Sequence, residues 1–160
     1  MTIVRAFVLI LGISGLAFAQ ITEVKAKPIT EADLQLLRQD VQAQKNRIIT
    51  NTMTFTEPEA AAFWPVYKQY AAEQQEIAVR RFALITDYAQ NLEKMDDNRA
   101  RGLSERLFAI EGDTQVLRKK YFPRFEKALG AKCTAKFYQV DNRLSLIINL
   151  QLASEIPIIP

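Results

Sequence analysis

The sequence predicts an all-α protein of four helices. Two long ones form a kinked antiparallel hairpin with shorter flanking helices, in an elongated cradle-like shape. Three observations predict it. Apolar residues beyond residue 30 recur at spacings of three and four, helix start and stop signals fall between those stretches, and no run alternates with the period of a strand. A chain of 160 residues, 49% hydrophobic and 24% charged, is long enough for one domain with its own core.

The first 19 residues stand apart. One positive charge at Arg5, an apolar run from Ala6 to Phe18 and small residues at Ala17 and Ala19 make the pattern of a secretory signal peptide cleaved after Ala19. The run is shorter than the ~20 residues a membrane span needs. A mobile polar segment is expected over 20–29, a single helical domain over 30–154 and an extended tail over 155–160, where Pro157 and Pro160 fall. No later segment is apolar enough to span a bilayer, so no integral membrane segment is expected after cleavage.

Thr30, followed by Glu31 and Asp33, reads as an N-cap with acids in the first turn. Leu34, Leu37, Val41 and Ile48 then place one narrow apolar stripe on a helix of roughly 20 residues. The segment Thr50 to Thr54 breaks that pattern, and Phe55-Thr56-Glu57-Pro58-Glu59 restarts it. Thr56 can accept from the backbone N–H of Glu59 while the Glu59 carboxylate reaches back to Thr56, Phe55 stands where a hydrophobic staple belongs, and Pro58 suits a first turn. Phe63, Tyr67, Tyr70, Ile77, Leu84, Tyr88 and Met95 continue the second helix, interrupted by Gln74 and Arg81.

Asp96 or Asp97 caps a third helix, with the stripe Ala100, Leu103, Leu107, Ile110, Thr114, Leu117, Tyr121, Phe125 and Ala128. This nearly unbroken repeat is a coiled-coil-like seam, and the tight connection around residues 95–97 makes the second and third helices an antiparallel hairpin. A turn there sets Tyr70 level with Tyr121. Gly130 ends the third helix as a C-cap glycine does. A fourth helix carries Phe137, Val140, Leu144, Ile147 and Ile148 to about residue 153. Pro65 and Pro123 lie inside their helices at one level, which bends both and gives the hairpin a concave face.

Ten of the thirteen aromatic residues beyond residue 19 gather at one end of this hairpin. They form either a conventional core where the helices meet or a pocket for an apolar ligand. In the other half, Phe82 and Phe108 fall at nearly equal height, both well off their seams and toward a common side. Ala71, Ala78, Ile85 and Leu92 add a second stripe, which the flanking helices cover or which serves as a dimer or client-binding surface. Arg80, Arg81, Arg99, Arg101, Arg106, Arg118, Lys119 and Lys120 lie in the same region, interleaved with acids.

Composition excludes more chemistry than it suggests. The chain has no histidine, so it lacks the commonest general base and the commonest transition-metal ligand. No Ser-x-x-Lys follows Ser104, Ser145 or Ser154, and none of the five glycines forms a phosphate-cradling loop. Asp96-Asp97-Asn98 with Gly102 has calcium-loop residue types, but Arg101 and Phe108 stand where ligands five and twelve belong. The formal charge of +3 leaves no nucleic-acid footprint. We therefore expect a non-enzymatic protein with no cofactor and no metal. Cys133, the single cysteine, reads as a small apolar residue near a helix start, as a free thiol or as an intermolecular disulfide.

An exported all-helical chain whose long helix opens with an F/L-T-x-x-E/Q cap, and whose last helix follows a second short turn, resembles the Spy/CpxP family of periplasmic stress proteins with L-T-x-x-Q motifs. The resemblance covers residues 50–153. The first motif maps onto Phe55, Thr56 and Glu59; the second falls at Leu129 to Cys133, where Leu129 matches. The resemblance implies a thin homodimer in the periplasm, acting as an ATP-independent chaperone or envelope-stress protein. Unfolded or envelope proteins are the implied partners, and the histidine-dependent metal branch of the family is out of reach. Phe82, Ile85, Phe108, Arg81 and Arg118 are the candidate contacts for a client or partner. The alternative is a structural or regulatory protein that binds one dedicated envelope partner, such as a sensor kinase.

Overall fold

The computed structural model describes residues 31–154 and 158–159, with side chains over 40–153 and 158–159. The expected signal peptide, the segment 20–29, the expected cap at Thr30 and most of the tail lie outside the described residues. The chain divides into two compact units, Met1–Val41 and Gln42–Pro160. In the first, residues 31–41 are helical. Everything below concerns the second.

Four α-helices and one short 3₁₀ turn make up the described chain: α1 Glu31–Met53, α2 Glu57–Asn91, the 3₁₀ turn Leu92–Lys94, α3 Asp97–Leu129 and α4 Ala131–Ser154. No strand occurs among the described residues. At 1.5 Å per residue α2 is about 52 Å long and α3 about 50 Å. Long helices of this kind hold in water only when a stripe is buried against a partner, and here each is the partner of the other.

Local signals end each element. Thr54, a β-branched residue at φ 50°, breaks α1 away from the helical path, and its hydroxyl donates to the Met53 carbonyl at 2.8 Å. Thr56 then caps α2: its hydroxyl accepts from the Glu59 N–H at 3.4 Å while a Glu59 carboxylate oxygen accepts from the Thr56 N–H at 2.9 Å. The Thr56 N–H first, and then the Thr56 hydroxyl, which donates to the same carboxylate oxygen at 2.8 Å, hold the Glu59 carboxyl below its usual range. Asp96 caps α3 by accepting from the Arg99 N–H at 2.8 Å. Gly130, at φ 75°, turns the chain from α3 directly into α4, in a backbone region that side chains disfavour.

The hairpin is antiparallel and in the expected register. The rings of Tyr70 and Tyr121 lie 5.4 Å apart. Along one flank, polar pairs cross from α2 to α3 in opposite order: Gln69 with Arg124, Glu73 with Lys120, Arg80 with Asp113, and Asp87 with Arg106. Such exposed pairs add little stability, but their matched steps of four, seven and seven residues on the two helices fix how they slide. Pro65 and Pro123 are exposed, and both helices continue through them.

One end of the hairpin is closed by an aromatic core. Phe63, Tyr67 and Tyr70 of α2, Tyr121 and Phe125 of α3 and Phe137 of α4 are buried together, with Ile49 and Met53 of α1 against them. All ten aromatics grouped by the sequence join one network of ring contacts, from Phe55 on Phe63 at 4.6 Å to Phe125 on Phe137 at 4.6 Å. Two open clefts, of about 740 and 560 Å³, are lined by no aromatic side chain, so the rings pack as core rather than line a pocket. Cys133 is a half-buried free thiol beside this core, and burial pushes its pKa up.

Two stripes differ from expectation. On α1 the buried face is Lys45, Ile49 and Met53, whereas Ile48 is exposed. The helix runs to Met53 rather than breaking at Thr50, and burial of Met53 in the last turn selects the face that carries Ile49. On α4 the inward residues are Thr134, Phe137, Val140 and Asp141, while Ile147 points outward at 56% exposure.

Candidate functional site

The same hairpin presents two different environments along one face, and the difference comes from what docks there. Phe82 and Phe108 each stand two residues beyond an ion-pairing residue, Arg80 and Arg106. At 100° per residue that is about 160° around the helix, so both rings face away from the ion-pair flank. Nearer the closed end, this opposite face receives α4: Asp141 accepts from the Tyr70 hydroxyl at 2.9 Å and from Gln74 Nε2 at 3.4 Å, and Arg118 Nη2 stands 3.5 Å from it. Farther out, α2 and α3 bury Leu84 and Ile110 between them and leave Phe82 at 44% and Phe108 at 67% exposure. Ile85 and Arg81 are half-buried beside them.

Of the five candidate contacts, the structure thus groups Phe82, Ile85, Phe108 and Arg81 in the distal half. It sets Arg118 apart. The Arg118 side chain is 18% exposed and turned toward the fully buried Asp141, because the α3 position that carries it faces α4 rather than solvent. Its carbonyl accepts from the Tyr138 hydroxyl at 2.8 Å, which ties α4 to α3 at the same level.

That level is a buried polar junction of all four helices, which the spacing of apolar residues does not announce. Lys45 of α1 donates to Gln74 Oε1, Gln42 donates to the Tyr67 hydroxyl at 3.1 Å, and Gln74 in turn donates to the Tyr70 hydroxyl at 3.3 Å. Two cations, Lys45 and Arg118, therefore approach one carboxylate. Burial pulls the Lys45 pKa below its ordinary value, Asp141 works against that shift, and Arg118 adds to it. Burial pushes the phenol of Tyr67 up to about 12, and that of Tyr138 also to about 12. Tyr70 rises further, from burial first and then from the adjacent Asp141 carboxylate. The Arg118 Nε and the Thr134 hydroxyl are buried without a hydrogen-bond partner.

Both oxygens of the Asp141 carboxylate are engaged. The carboxylate is fully buried and taken by a phenol, an amide and a guanidinium. One signal for it lies in the sequence. Asp141 falls four residues after Phe137 and three before Leu144, squarely on the apolar face of α4, and Gln74 interrupts the seam of α2 at the position that meets it.

The fold and surface define a class: an all-α helical hairpin closed at one end by two further helices, with aromatic side chains presented on one face of its open half. Compared with family models, curated proteins and solved structures, the chain matches none.

Proposed function

We propose that this is an exported, non-enzymatic binding protein that holds apolar stretches of unfolded or envelope polypeptides on the distal face of its α2–α3 hairpin. The observation that carries the reading is the joint exposure of Phe82 and Phe108 on one face of the open half; of the other described rings only Phe122, at 41%, is exposed, and the rest are buried or half-buried. Large apolar side chains exposed together on a rigid helical scaffold mark interaction sites. Ile85 and Arg81 border them and supply further apolar and cationic contacts for a chain that carries acids among its apolar residues. No step of such binding needs nucleotide, cofactor or metal.

The residues Phe55, Thr56 and Glu59, which resemble the first L-T-x-x-Q motif, serve here as the cap and staple that start α2. With the signal-like N-terminus, they support placement in the periplasm and a Spy/CpxP-like, homodimeric, ATP-independent chaperone role in envelope stress. The test is dilution of a chemically denatured client into nucleotide-free buffer, with aggregation followed by light scattering. Stoichiometric protein should suppress scattering where an unrelated helical protein does not. The Phe82→Ser/Phe108→Ser variant should lose that suppression with its thermal midpoint unchanged. No suppression at severalfold excess would sink general chaperoning and leave one dedicated envelope partner, such as a sensor kinase, as the reading to pursue.

A further inference from the structure

A second exposed surface lies on α4, away from the hairpin face just described. Lys132, Lys136, Arg143, Leu146, Ile147 and Leu150 follow one another at helical spacing. At 100° per residue they fill an arc of about 100° opposite the buried Asp141. All six are exposed, the last three at 58%, 56% and 71%. Asp141 is the single acidic residue of α4 and it points inward, so the outward arc has cations and no carboxylate. From Leu144 to Ser154 no residue is charged, and beyond the helix Ile158 and Ile159 are exposed at 92% and 46%.

We infer that this outer face of α4 binds an anionic lipid surface, with Lys132, Lys136 and Arg143 on the phosphate headgroups and Leu146, Ile147 and Leu150 dipping into the acyl boundary. Charge selects the partner. A second copy of the same face would bring only more cations to Lys132, Lys136 and Arg143, whereas a sheet of lipid phosphates supplies the missing anions. Shape agrees with that choice, because the outer side of a single helix is a convex ridge, and a ridge enters a fluid planar surface without needing a matching groove. The lengthwise division suits an oblique approach, with the basic N-terminal half at headgroup level and the apolar C-terminal half lower. No helix among the described residues is long and apolar enough to cross a membrane, so the contact is peripheral.

The experiment is flotation of the protein as recovered from cells, its N-terminus mapped, with vesicles of phosphatidylglycerol and phosphatidylethanolamine and, separately, of phosphatidylcholine. The bound fraction should favour the anionic vesicles by about tenfold or more and fall as salt rises. Ile147→Asn/Leu150→Asn should cut binding by about tenfold with the helical circular dichroism unchanged. Lys132→Gln/Lys136→Gln/Arg143→Gln, which touches no apolar contact, should abolish the preference for anionic lipid. Equal partition into both vesicle types, absence of binding, or indifference to both variants would overturn the inference. So would a dimer in sedimentation velocity that Leu150→Asn dissolves while vesicles remain unbound, since that would assign the face to a second copy.

Discussion

The closed and open halves of the α2–α3 hairpin share one seam and one register, yet they bury very different amounts of it. Around Phe63, Tyr70, Tyr121 and Phe125, α1 and α4 complete the wall and the rings fall to about 1% exposure or less. Around Leu84 and Ile110 the seam is a two-helix contact, and Phe82 and Phe108 remain in solvent. A pair of helices can bury only the narrow stripe between them. Each further helix hides a face that would otherwise be exposed, so the open half keeps its large apolar side chains in solvent and has fewer buried contacts to hold it.

Substitutions should separate the halves. Phe125→Ala at the closed end should cost about 3–5 kcal/mol, read as a drop in the chemical denaturation midpoint. Asp141→Asn should cost a similar amount, since it leaves Lys45 and Arg118 as buried cations without a carboxylate; a change under 1 kcal/mol would show that the junction is hydrated. In the open half, Leu84→Ala should cost about 2–3 kcal/mol, because solvent and neighbouring side chains relax into the space. Thr56→Ala, which removes a cap, should cost about 1 kcal/mol. Phe82→Ser and Phe108→Ser should each stay within about 0.5 kcal/mol. A loss of several kcal/mol at Phe82 or Phe108 would erase the contrast between the halves.

Alkaline pH probes the closed half selectively. Tyr67 and Tyr138 have folded pKa values of about 12, above the unfolded value near 10. The native state therefore holds more protons in that window, and stability fully present below about pH 10 is lost as pH rises toward 12. Lys45 acts in the opposite sense: its folded pKa is depressed, the unfolded chain binds the extra proton, and stability rises with pH as its amine approaches the unfolded value. Denaturation midpoints measured from pH 8 to 12 should thus show a late fall that Tyr67→Phe reduces, while tyrosinate absorbance lags behind that of the unfolded chain.

Much of this architecture was legible before the structure. The Thr56–Glu59 cap, the Asp96 cap, the Gly130 turn and the Tyr70–Tyr121 level follow from local hydrogen-bond chemistry and helical spacing, which act within a few residues or along one repeat. The face of α1 was not legible, because Ile48 and Ile49 are equally apolar neighbours and only packing against α2 chooses between them. Nor was the role of Arg118, which spacing alone groups with the distal surface. Its orientation depends on Asp141, 23 residues away, and on a fourth helix whose docking no local pattern specifies. The exposure of Phe82 and Phe108 was open for the same reason, since it rests on where α1 and α4 do not reach.

The buried carboxylate of Asp141 also sets how α4 can be threaded along the hairpin. A slip of one helical turn would move it about 5.4 Å, away from the Tyr70 hydroxyl and Gln74 and in among aromatic rings or apolar seam residues. Apolar packing tolerates such a slip, because one leucine or phenylalanine can stand where another stood. A carboxylate does not, since no other position on this face offers it a phenol, an amide and a guanidinium together. Asp141 thus works as an indexing pin: it makes the aromatic end close in one alignment, and it holds the outward stripe of α4 at a fixed angle to the rest of the domain.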